Sequence, residues 1–67
     1  MDYLTSLRVF KAVVDRGSFT AAAAALRTSR AAATKHVGHV EERLGTRLLQ
    51  RTTRSVQLTE AGALFHA

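Results

Sequence analysis

Arg30, Ala31, Thr34 and Lys35 recur at spacings that gather them on the first turns of a helix. Their chemistry is that of reading base edges. A guanidinium can bond guanine O6 and N7 together, an ammonium can reach the same atoms, and an alanine or threonine methyl can lie against the thymine methyl. Small residues beside two cations suit a helix whose N-terminal turns enter a major groove. A second set sits where helices begin. Ser18, Thr20, Thr28 and Ser29 can offer hydroxyls and neighbouring free backbone N–H groups to phosphate oxygens, and each can equally serve as a helix cap. A third set is Arg51-Thr52-Thr53-Arg54. An arginine at the tip of a turn suits a narrow, electronegative minor groove, with Thr53 available to a phosphate.

Those residues need elements to hold them. Leu4, Leu7, Phe10 and Val14 recur in steps of three and four, so residues 3 to 16 read as an amphipathic helix stopped by Gly17. Ser18 opens a short alanine-rich helix, Phe19 to Leu26, and Ser29 opens a third, Arg30 to Leu44, closed by Gly45. In the third helix Ala33, Val37, Val40 and Leu44 form the apolar stripe. Almost opposite lie Ala31, Lys35, Gly38 and His39, with Thr34 at the edge, and the outward face turns acidic at Glu41 and Glu42. Arg47 to Arg51 and Ser55 to Leu58 read as two short strands around a turn, with Leu49, Val56 and Leu58 facing inward. Thr59 caps a fourth helix beginning at Glu60. The order predicts a mainly α fold with a small β-hairpin: a winged helix-turn-helix with a three-helix core. Residues 1–58 are expected to form it, and 59–67 to be the cut-short start of a further helix.

Composition narrows the function classes. The chain has 67 residues, 46% of them apolar, which fits one small globular domain. Ten Lys+Arg against five Asp+Glu give a net charge of +5. The stretch from Arg27 to Arg54 alone, with seven cations and two acids, accounts for the whole excess. Localised charge of this kind is expected of a surface that neutralises phosphates. The absence of cysteine excludes disulfides, thiolate zinc sites and cysteine nucleophiles. His36 and His39, three apart, make a poor metal site without converging acids and read as helix-surface histidines. Asp15 and the glutamates have no visible partner for acid–base work, so neither catalysis nor a cofactor is expected. The longest apolar run, Ala21 to Leu26, is too short to span a bilayer, and the N-terminus lacks the pattern of an export signal. A cytoplasmic location is the expectation.

The chain resembles, over nearly all its length, the N-terminal DNA-binding domain of LysR-type transcriptional regulators. The likeness rests on Leu7-Arg8-Val9-Phe10 through Ala12-Val13-Val14, then Gly17-Ser18-Phe19-Thr20 with the alanines behind it. Glu41-Glu42-Arg43-Leu44-Gly45, Arg47-Leu48-Leu49, Arg51-Thr52-Thr53-Arg54 and Leu58-Thr59-Glu60-Ala61-Gly62 follow in order. The resemblance implies a bacterial factor that binds interrupted palindromes in double-stranded DNA, as a homodimer or homotetramer at full length. It maps the major-groove residues onto Arg30, Ala31, Thr34 and Lys35, the minor-groove arginine onto Arg54, and residues 59–67 onto the start of the linker helix. With so little linker helix, the 67-residue chain is expected to be largely monomeric. The family commonly has Gln-Pro at Arg30-Ala31, Ser and Arg at Thr34 and Lys35, and Gly or Asn at Arg27. Arg30 thus replaces a residue suited to adenine with one suited to guanine.

Two other readings remain open at this level. One is a winged-helix module whose partner is protein and whose basic face is incidental. The other is a cationic membrane-surface peptide, disfavoured because the cations are divided between a helix and a hairpin.

Overall fold

The computed structural model describes residues 2–50 and 56–66. Its helices are α1 (Tyr3–Arg16), α2 (Phe19–Ala25), α3 (Arg30–Leu44) and α4 (Glu60–His66). Local chemistry sets the boundaries. Gly17 and Gly45 adopt left-handed backbone, φ 68° and 69°, and return their N–H groups to the last carbonyls of α1 and α3. The Ser18 and Ser29 hydroxyl oxygens accept the backbone N–H of Ala21 and Ala32, at 3.2 and 3.0 Å. The short second helix ends one residue before the expected Leu26, which lies in the turn and is 41% exposed.

The core is where α1, α2 and α3 meet: Val9, Phe10 and Val13 against Ala22 and Ala23, and Ala33, Val37 and Val40. Leu48 and Leu49 close it from below. Alanines on α2 bring the three axes together without bulky side chains between them. The α1 stripe differs from expectation. Leu4 is 58% exposed, and the buried face is Ser6, Val9, Phe10 and Val13. Two steps of three residues, Leu4 to Leu7 to Phe10, rotate the side chain by about 120° around a helix with 3.6 residues per turn. The spacing therefore drifts off the face that Phe10 occupies. Leu44 lies on the α3 stripe in angle but at its last residue, and is 41% exposed.

After Gly45 the chain pairs with the arm that returns toward α4. Among the described residues it has one antiparallel bridge, Leu49 with Leu58, extended by Gln50 N–H donating to Gln57 O at 2.9 Å. Leu49 is buried, and Val56 and Leu58 are half-buried against the core, as the alternation predicts. Residues 51–55, expected as the turn between these arms, lie outside the described residues. Thr59 ties the returning arm down: its N–H donates to Leu48 O at 3.0 Å, its hydroxyl donates to Arg47 O at 2.6 Å, and Gly62 N–H donates to its oxygen at 3.0 Å. Gly62 lies directly on the backbone of Leu48, where a Cβ would run into the Leu48 carbonyl. The short α4 thereby rests on the body of the domain.

Candidate nucleic-acid interface

The first two turns of α3 present one exposed face. Arg30, Ala31, Thr34 and Lys35 are all exposed, while Ala33, Val37 and Val40 on the other side of the helix are 0% exposed. Packing of that stripe against α1 and α2 fixes the rotation of α3 about its axis, and so fixes which side chains point away. The Thr34 hydroxyl donates to Arg30 O at 3.0 Å, which leaves its oxygen as an acceptor and its methyl as an apolar surface.

The turn into α3 is tight. Arg27 has φ 55°, left-handed backbone that a side chain disfavours, and Thr28 N–H donates back to Ala23 O at 2.9 Å. This is the position at which the resemblance leads one to expect Gly or Asn. Ser18 and Thr28 are half-buried, and Thr20 and Ser29 are exposed. A capping serine accepts with its oxygen and keeps its own O–H, so capping by Ser18 and Ser29 leaves a donor for a phosphate. Arg51, Thr53 and Arg54 lie outside the described residues.

Three residues have surroundings other than those expected from the sequence. Glu41 is not on an outward acidic face; it is 8% exposed, and its Oε2 accepts the backbone N–H of Leu48 at 2.9 Å and of Leu49 at 3.1 Å. The signal for this was present, since Glu41 follows Val37 by four and Val40 by one, on the edge of the buried stripe. His36 and His39 are half-buried against α1 rather than free on the helix surface. The fully buried Ser6 hydroxyl lies 3.1 Å from Asp2 O and shares a hydrogen bond with His36 Nδ1 at 2.9 Å, tying α1 to α3. His39 meets the Tyr3 ring edge-on at 5.9 Å, and the Arg43 guanidinium lies over the same ring at 4.4 Å. Arg43 is therefore engaged with α1 and stands apart from the Arg30–Lys35 face. Among the described residues no group of three or more His, Asp or Glu converges as a metal site.

Asp15 binds Lys11 at 3.1 Å and His66 Nε2 at 3.0 Å, and these bonds, that from Lys11 foremost, hold its carboxyl below the ordinary value. His66 thereby links α4 to α1, a role its position near the chain end did not suggest. No helix among the described residues is long and apolar enough to cross a membrane.

Comparison with known proteins agrees with this geometry. The profile described as "Bacterial regulatory helix-turn-helix protein, lysR family" matches residues 4–63. An HTH-type transcriptional repressor of Pseudomonas aeruginosa is 48% identical over 65 residues, 97% of this chain and 20% of that protein. The HTH-type transcriptional activator AaeR of Escherichia coli is 44% identical over 66 residues, 98% of this chain and 21% of its own length. The chain thus spans about a fifth of the curated relatives it matches. Among solved structures, the BenM DNA-binding domain in complex with benA site 1 DNA superposes with a TM-score of 0.89 at 38% identity, covering 98% of this chain and 73% of that one. The CbnR DNA-binding domain–DNA complex gives 0.86 at 36% identity, covering 98% and 75%. The profile match over 60 of 67 positions, the shared fold and the exposed α3 face lead to one assignment: this chain belongs to the lysR family of bacterial regulatory helix-turn-helix proteins.

Proposed function

We propose that the chain binds double-stranded DNA sequence-specifically, with the N-terminal turns of α3 in the major groove and residues 51–54 at the adjoining minor groove. The observation that carries this reading is the outward face of α3, where Arg30, Ala31, Thr34 and Lys35 are exposed opposite the fully buried Ala33, Val37 and Val40. Similar structures solved as DNA complexes support it. In this reading Arg30 and Lys35 bond base acceptors, Ala31 and the Thr34 methyl line the apolar part of the contact, and Arg54 with Arg51 enters the minor groove. Ser18, Thr20, Thr28, Ser29 and Thr53 hold phosphates and set the register. The work involves no catalysis and no cofactor, and its place is the bacterial cytoplasm, on the nucleoid.

A longer protein carrying this domain would bind as a homodimer or homotetramer to paired half-sites, as the family resemblance implies. The 67-residue chain by itself is largely monomeric or weakly dimeric at low micromolar concentration, and it binds one half-site weakly because no second linked domain adds avidity. Sedimentation velocity tests the first statement, and a tight dimer contradicts it.

The test of the function is enrichment of duplexes from a random pool, followed by titration of the enriched duplex and of a shuffled one across salt. Affinity for both falls steeply with salt, while the enriched duplex stays preferred throughout. Equal affinity for the two at every salt concentration overturns specificity. A basic face that binds no duplex at all leaves a protein-binding winged helix.

A further inference from the structure

Three of the four glycines have a reason within the chain. Gly17 and Gly45 hold left-handed backbone at helix ends, and Gly62 lies against Leu48 with no room for a Cβ. Gly38 has none of these. It stands in the interior of α3, and a Cβ built there meets no atom within 4 Å. Glycine at such a site weakens a helix relative to alanine, and nothing in the described residues gains from its smallness.

Its position says what does. Gly38 follows Ala31 by seven, Thr34 by four and Lys35 by three, so it lies in line with that exposed face of α3 and is itself half-buried. Seven residues advance a helix by about 10 Å, against a major groove about 12 Å wide. A helix with Ala31 at the base edges therefore reaches the wall of the groove, where the sugar–phosphate backbone lies, near Gly38. The surface beside Gly38 forms an open groove whose lining also includes Glu42, Thr46 and Arg47. Arg47 is exposed and offers a cation for a phosphate there, while Glu42, and Glu41 with its carboxylate turned to Leu48 and Leu49, come about one turn further along the helix.

We propose that Gly38 is a clearance residue: its bare backbone lets one DNA strand, the sugar–phosphate wall of the major groove, pass in direct contact with α3. This rests on the DNA-binding reading above and adds how deeply the helix sits.

The test is Gly38→Ala in the 67-residue chain, read by thermal unfolding and by titration of the duplex enriched with the unsubstituted chain. Unfolding is expected to shift upward by about 4 °C, because helix propensity improves and nothing within the chain is crowded. Affinity is expected to fall about fivefold or more, because one added methyl overfills a close contact. The loss should have the same factor on single-base-pair variants of that duplex, since a backbone contact carries no sequence information. A raised midpoint with unchanged affinity overturns the inference while leaving DNA binding intact. A loss that depends on one base pair moves the contact to a base edge and likewise overturns it. If the unsubstituted chain enriches no duplex, both readings fall together.

Discussion

The carboxylate of Glu41, near the end of α3, accepts the backbone N–H of Leu48 at 2.9 Å inside the domain. It takes the N–H of Leu49 with the same oxygen at 3.1 Å. One side chain thus fixes where the chain goes after α3, by holding Leu48 and Leu49 against the end of that helix. Without it two buried donors have no acceptor.

Glu41→Ala should therefore lower stability by about 2–4 kcal/mol, as expected when buried donors lose a charged acceptor. Glu41→Gln, which keeps a carbonyl oxygen, should lose roughly half as much. Urea unfolding followed by circular dichroism measures both. Equal losses for the two variants would show that charge, rather than the accepting oxygen, is what holds Leu48 and Leu49.

Gly62 should answer differently from Gly38. A methyl at Gly62 points into the Leu48 carbonyl, 2.9 Å from its carbon, and backbone cannot swing aside as a flexible side chain can. Gly62→Ala is expected to destabilise by about 1–3 kcal/mol despite better helix propensity. The same urea titration checks it. A stabilised Gly62→Ala would mean that α4 is not seated on Leu48.

Arg27 holds φ 55° in the turn before α3. Arg27→Gly removes the Cβ penalty of about 1–2 kcal/mol and returns part of it through a freer unfolded chain. A net gain of about 0.5–1 kcal/mol in thermal or urea unfolding is the expected outcome. A loss of stability would indicate that the arginine side chain itself supports the turn.

Much of this was legible in the sequence, and the exceptions have physical causes. Caps and stops are local events, so Gly17, Ser18, Ser29, Gly45 and Thr59 marked their helix ends directly. The exposed quartet on α3 followed from the stripe Ala33, Val37 and Val40, because a helix buried on one side must expose the other. What failed needed long-range partners. Leu4 shares the spacing of Phe10 but not its direction, and Glu41 looked like solvent-facing charge because its two donors come from a segment folded back onto it. His36 and His39 looked free because Ser6 and Tyr3 reach them from thirty or more residues away. Arg51, Thr53 and Arg54, expected at a turn, lie outside the described residues.

The central claim is that the N-terminal face of α3 reads bases. The most direct measurement is a base-pair substitution scan of the enriched duplex, titrated with the unsubstituted chain and with Arg30→Ala and Lys35→Ala. Each variant is expected to lose about 1–3 kcal/mol of discrimination at one or two particular base pairs and to bind the remaining substitutions with the original pattern. A uniform loss across every duplex, with the pattern of preference unchanged, would make both side chains phosphate contacts and contradict the account.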